Sequence, residues 1–404
     1  MLTGKSEKTH KILEACNEFE DKDTGSKASF TLISGWLEEC LENHPQCRLS
    51  DDKDALLPTR LIDIGSQQSC QQPRLILAQP AQRGRYAALS HRWGETKPLL
   101  TTKDTLFTRQ EGISESEISQ TFIDAMRVCR ELSIQYIWID SLCIIQDDAE
   151  DWDREASLMA SVYRNAYITI AAVDTEDEKS GLFSKRNGLQ NRPCKIDFKL
   201  PPRSHLHKEE VHLAFGEEKK HGDIFRLRGP LDGRGWVLQE QLLSRRIVNF
   251  KKEGVYWECL TTECSELAPE GSTLLFGETF REDRDYITTF KKSVAGLLDL
   301  NDSDIRERFY RSWMLIVQEY SRRSLTKETD KMAAIYGIIK EISRCTSDDF
   351  SMGVWRKYFW RGLMWCVFGP GCPVAENLVG YSGRLGPVGE RHGESIGRVK
   401  DYKF

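Results

Sequence analysis

Apolar positions along this chain switch repeatedly between a helical and a strand-like spacing. Leu32, Ile33, Trp36, Leu37 and Leu41 recur every three or four residues, so ordered structure is expected to begin near residues 30–47. Residues 60–64 and Arg74–Leu77 read as short strands on either side of a polar stretch. Tyr86–Ser90 is a short apolar run closed by Trp93 and Gly94, the pattern of a buried strand whose carboxyl end carries polar groups. Helical spacing returns at Phe122, Ala125, Met126, Cys129 and Leu132, and residues 136–140 form a second buried strand ending in a carboxylate. Residues 148–165 predict a helix with Trp152, Ala156, Met159, Ala160 and Tyr163 on its apolar positions and acidic residues at its positive end. Residues 167–173, rich in β-branched and aromatic side chains, return to strand.

Strand, helix, strand, helix, strand implies an α/β fold: a largely parallel sheet flanked by helices, with Tyr86–Ser90 and residues 136–140 adjacent or nearly so. Additional strands are expected at 247–250 and Val255–Cys259, preceded by an amphipathic helix that Gly233 and Gly235 let the chain enter tightly. Residues 267–285 read as a loop, and helical spacing over 309–322 and 331–343 predicts a mostly helical C-terminal unit. The organisation expected is therefore a polar N-terminal arm (1–31), an α/β domain with its preamble (32–265), a helical unit (286–366) and a Gly-rich irregular tail (367–404).

Composition narrows the function classes. With 57 basic and 62 acidic residues the net charge is −5, and no Lys/Arg run offers a nucleic-acid footprint. No apolar stretch approaches the roughly 20 residues of a membrane span, and the N-terminus is too polar for a signal peptide, so a cytoplasmic protein is expected. Its 12 cysteines then read as thiols. The spacing Cys40-x3-His44-x2-Cys47 could set three metal ligands on consecutive turns, but no fourth is evident; buried thiols and one hydrogen-bonded histidine account for it, and no metal is expected. Cys259-x4-Cys264 is a weaker spacing still, and a Walker-type phosphate loop is missing.

In parallel sheets ligands sit outside the carboxyl ends of strands. Ser90-His91-Arg92-Trp93 and Asp140-Ser141-Leu142-Cys143 both fall at such ends, so a common cleft is expected. Arg92 there suits a bidentate grip on pyrophosphate, and Trp93 suits stacking on a base, unless that ring and Trp138 are simply core aromatics. Asp140 either orients a ligand hydroxyl or Arg92, or caps the following turn. Cys143 could pair with His91 as a nucleophile. Arg234 and Glu240 either reach the cleft or fix their helix as a buried ion pair.

Three blocks, YAALSHRWG (86–94), the stretch 136–172 beginning YIWIDSLCIIQDD, and GRGWVLQEQLLSRRIVNF (233–250), resemble in order and wording the fungal heterokaryon-incompatibility (HET) family, whose proteins trigger cell death when genetically different cells fuse. The likeness takes in WLEEC (36–40) and LPTRLID (57–63) upstream and WMLIVQEYSRRSLTKETDKMAAIYG (313–337) downstream, roughly residues 32–366 in all. That family is regarded as distantly similar to Toll/interleukin-1 receptor (TIR) domains, some of which cleave NAD at the nicotinamide–ribose bond with a glutamate on a helix shortly after a tryptophan. The resemblance thus implies a TIR-like core and points to Trp152 and Glu155, spaced one residue closer than in the plant-type pattern, with Glu155 the catalytic carboxylate beside Asp140. The residue types fit, since a carboxylate stabilises the oxocarbenium-like state of N-glycosidic cleavage. Glu155 could equally be a helix-surface residue paired with Arg154. Three functions stay open: a cell-death effector hydrolysing NAD or a related nucleotide without a bound cofactor, a non-enzymatic module that assembles with itself or a protein partner, and an enzyme of secondary metabolism using the same cleft.

Overall fold

The computed structural model describes residues 23–48, 54–65, 72–94, 99–175, 180–186, 194–197, 210–213, 229–266, 269, 271, 281–351 and 353–362. The polar arm up to residue 22, the tail 367–404 and most of the expected loop 267–285 lie outside them. The chain forms two compact units, Met1–Phe350 and Ser351–Phe404. Described in the second are the short strand Val354–Trp355, the 3-10 turn Arg356–Tyr358 and the helix Phe359–Gly362.

The first unit is built on eight strands: β1 (Arg60–Asp63), β2 (Arg74–Leu77), β3 (Tyr86–Ser90), β4 (Tyr136–Trp138), β5 (Ile168–Ala172), β6 (Arg246–Phe250), β7 (Val255–Cys259) and β8 (Glu263–Ser265). Their order across the sheet is β8-β7-β6-β5-β3-β4-β1-β2. The four central strands, β6, β5, β3 and β4, run parallel, and an antiparallel pair flanks them on each side. The adjacency of β3 and β4 is as the apolar pattern predicts, in the register Tyr86–Tyr136 to Ala88–Trp138. Every residue of β3, β5 and β6 is buried, because helices cover both faces of a parallel sheet and leave no strand position for water.

Among the described residues, seven longer helices complete the unit: α1 (Lys27–Asn43), α2 (Gln120–Glu131), α3 (Ala149–Asn165), α4 (Gly235–Leu243), α5 (Arg281–Val294), α6 (Ser303–Ser321) and α7 (Lys331–Thr346). Helix α1 starts a turn before Phe30, because the Ser26 hydroxyl caps the Ser29 N–H and Ala28, Ser29 and Phe30 are buried. In α3 Asp148 caps the N–H groups of Glu150 and Asp151. The expected strand 136–140 ends at Trp138; the Asp140 carboxylate accepts the Ser141 N–H at 2.7 Å and opens a one-turn helix, Asp140–Cys143. Helix α5 begins inside the stretch expected as loop, since Arg281–Asp285 is charged at every position and an all-charged run hides the 3.6-residue period. Among the described residues no helix is long and apolar enough to cross a membrane.

Helices α3, α4 and α7 pack against one another, so the helical C-terminal stretch is continuous with the α/β core. Gly337 is the contact point: a Cβ there would lie 2.7 Å from Ala160 Cβ and still closer to the Gln239 amide oxygen. Gly337→Val is therefore expected to destabilise the protein by about 1–3 kcal/mol through overpacking, read as a lower urea midpoint with an unchanged slope.

Candidate functional site

The chain leaves β3 toward β4 on one side and leaves β5 toward β6 on the other, so the carboxyl ends of β3 and β5 flank a topological switch point. Ser90 and His91, each 2 % exposed, lie there at the end of β3. From the neighbouring strand end comes Asp140, whose carboxylate accepts the Trp93 indole N–H at 3.0 and 3.2 Å and has His91 Nδ1 at 3.8 Å. The His91 ring meets Phe122 of α2 edge-on, with 5.1 Å between centroids.

Helix α4 brings the opposite charges. Arg234, just ahead of it, donates from Nη1 to the His91 carbonyl. Its backbone is pinned from downstream: Gly235 N–H donates to the Ser324 carbonyl at 2.8 Å and Ser324 N–H to the Gly233 carbonyl at 2.6 Å. A Cβ at 235 would sit 2.6 Å from Leu325 Cδ2, so a larger residue there would have to displace the Leu325 side chain. One turn further, Glu240 is 5 % exposed, and burial pushes its carboxyl up to about 7, against the pull of the Ser90 hydroxyl and of the Arg234 and His91 charges and with a push from Asp140. Tyr163 of α3 closes the group, donating from its hydroxyl to the Leu89 carbonyl at 3.0 Å; burial, then the Glu240 and Asp140 carboxylates, push its phenol well up. Ser90 Oγ and Glu240 Oε2 are both fully buried, and neither makes a well-aligned hydrogen bond among the described residues.

The remaining candidates fall around this group. Arg92 is exposed beside it. Trp152 packs edge-on against Trp236 of α4 at 6.2 Å. Cys143 lies in the apolar core, its sulfur accepting the Ile139 N–H at 3.4 Å, and burial pushes the thiol up to about 12, which leaves it protonated at neutral pH. Glu155 is buried at 2 % exposure, where a helix-surface position would have left it in water; Arg60 Nη2 lies 3.6 Å and Arg154 Nε 3.5 Å from its Oε1. Tyr163 escaped the sequence reading because an aromatic at helical spacing reads as core, and the only cue to its hydroxyl was its place on the helix that follows the Asp140 turn.

The fold and this group define a class: an α/β protein with a buried, charge-rich centre at the switch point of a parallel sheet. Residues 86–240 match the protein-family model described as Heterokaryon incompatibility protein (HET). The matched span opens on the first residue of β3 and closes on Glu240, and it holds Ser90, His91, Asp140, Tyr163, Arg234 and Glu240 alike. No curated protein and no solved structure matches the chain.

Proposed function

We propose that the strand-end group hydrolyses the N-glycosidic bond of NAD or a related nucleotide, and that the protein serves in this way as a cell-death effector of heterokaryon incompatibility, the role its HET domain suggests. The observation that carries this reading is a pair of carboxylates in unlike settings: Asp140, held by an indole N–H and a backbone N–H, and Glu240, buried and pushed up to about 7. A carboxyl raised toward neutrality by burial, beside a second carboxylate, is the arrangement expected of an acid–base centre. When the C1′–N bond breaks, its electron pair leaves with nicotinamide as a neutral molecule, and the positive charge left on the ribose is met by Asp140. Water then adds to C1′ and passes its proton to the Glu240 carboxylate. Arg234, and Arg92 at the rim, suit the pyrophosphate, and Trp93 offers a face for stacking.

Nicotinamide release from NAD, measured for wild type, Asp140→Asn, Glu240→Gln and Glu155→Gln at matched concentration of folded protein, tests this. Asp140→Asn and Glu240→Gln are expected to lose about 10²–10³-fold in rate, and the wild-type rate is expected to rise with pH through about 7 as Glu240 gives up its proton. Glu155→Gln is expected to keep its rate per folded molecule, since Glu155 is engaged by Arg60 and Arg154; a loss as large as that of Glu240→Gln would move the catalytic carboxylate to α3. No release by wild type, even when concentrated to promote self-assembly, would overturn the hydrolytic reading in favour of a non-enzymatic signalling module.

A further inference from the structure

At the opposite end of the strands, where β6 begins and β7 ends, Cys40, His44, Cys47 and Cys259 converge, with one ligand atom from each lying within 4.8 Å of all the others. Three of them follow from local structure. Cys40 is in the last turn of α1 and His44 caps that helix, its N–H donating to the Cys40 carbonyl, which places both on one face at the i,i+4 spacing. Pro45 then forces a 3-10 turn that folds Cys47 back, with its N–H on the His44 carbonyl at 2.9 Å. The fourth, Cys259, is the last residue of β7 and lies 215 positions from His44, so no local spacing could reveal it.

We infer that these four residues bind one structural zinc ion. Three thiolates and an imidazole are a borderline-soft set that matches zinc, and with protein filling all four tetrahedral positions the site is closed, as structural rather than catalytic zinc sites are. Zinc–ligand bonds of about 2.0–2.3 Å set ligand atoms roughly 3.5–3.8 Å apart in a tetrahedron. Cys259 Sγ and His44 Nδ1 are already 3.5 Å apart, so contraction of a few tenths of an ångström to about 1 Å among the others closes the set. Cys40 and Cys47 are fully buried and Cys259 is 9 % exposed.

The surroundings are built for thiolates. Arg246 Nε donates to Cys40 Sγ at 3.3 Å, and its Nη2 holds the Cys47 carbonyl at 2.7 Å. The backbone N–H groups of Thr261 and Thr262 both donate to Cys259 Sγ, at 3.4 and 3.3 Å, and the Thr261 hydroxyl lies 3.7 Å from Cys47 Sγ. Donors converging on sulfur orient ligands and stabilise their negative charge. A divalent ion with three thiolates and a neutral histidine leaves one net negative charge, which the Arg246 guanidinium offsets. The ion would tie α1 to the paired ends of β6 and β7, joining segments far apart in sequence, so its binding energy would add to folding.

The test is metal analysis of the purified full chain, prepared under reducing conditions without chelator. About one zinc per chain is expected, falling to near zero in Cys259→Ser and retained in Cys264→Ser, a buried cysteine outside the group. Removing zinc with a chelator is expected to lower the Tm. Cobalt substituted into the wild type should show tetrahedral d–d bands and a thiolate charge-transfer band, a readout that does not depend on any variant folding. The proposal is overturned if wild type with its thiols titrated free takes up neither zinc nor cobalt, if Cys259→Ser binds zinc like wild type, or if the protein carries a disulfide among these cysteines in place of metal.

Discussion

Arg60→Leu is expected to be the most destabilising single substitution in the sheet. The Arg60 side chain is 5 % exposed and makes three connections at the edge of β1: Nε donates to the Cys143 carbonyl at 2.6 Å, Nη2 to Asp151 Oδ2 at 2.5 Å, and the same nitrogen lies 3.6 Å from Glu155. Asp151 also accepts the Ile145 N–H at 2.9 Å, so the guanidinium and this carboxylate together hold the turn between the Asp140 helix and α3. Leucine would leave two carboxylates, 3 % and 2 % exposed, with Arg154, whose side chain is 53 % exposed, as the one cation still paired with them among the described residues. Removing one partner from a buried charge cluster costs about 3–5 kcal/mol, a large part of the roughly 5–15 kcal/mol that holds a typical fold. Urea denaturation is the measurement, with a lowered midpoint and unchanged slope expected. Arg60→Lys, which keeps the charge but not the planar fork, should fall between leucine and wild type. A loss below about 1 kcal/mol for leucine would show that the cluster holds nothing in place.

Why the sequence disclosed some of this and hid the rest follows from how far each signal travels. Arg74–Leu77, Tyr86–Ser90 and Val255–Cys259 could be bounded from the chain because a strand buried on both faces, or on alternate ones, writes its own short apolar run. The polar residues after β3 and β4 could be placed at one edge because parallel strands must all present their carboxyl ends on the same side. Burial of charge left no such mark: Glu155 sits on a polar stretch of α3 and is drawn inside only because Arg60, ninety-five positions earlier, waits there to pair with it. Cys259 is silent for the same reason. A cysteine ending a strand looks like a small hydrophobe until the fold sets it beside His44. Tyr163 shows the converse, a residue whose apolar ring was legible while its hydroxyl, on the Leu89 carbonyl, was not.

The contribution of Glu240 to stability is expected to fall as pH rises from about 4.5 to 7, and Glu240→Gln is expected to abolish that fall. An ordinary Glu carboxyl titrates at 4.5, whereas burial behind Ser90, Arg234, His91, Asp140 and Tyr163 pushes Glu240 up to about 7 in the folded chain. Below 4.5 both folded and unfolded chains keep the proton and the group costs nothing. Between these values the unfolded chain releases it and the folded chain does not, so the folded state binds more protons and loses stability with rising pH. Above 7 both are ionised, and the penalty stands at its full size, about 3 kcal/mol. Glutamine has no proton to release, so the gap between variant and wild type should widen by about that amount across the window, in favour of the variant. Urea denaturation of both proteins at intervals from pH 4.5 to 8 reads the gap directly. A variant that gains stability at high pH while losing nicotinamide release would show a carboxyl kept at a structural loss because the reaction needs it. A gap that stays flat across the window would mean that Glu240 ionises as freely in the folded chain as in the unfolded one, and the proton-accepting role proposed for it would fall with that result.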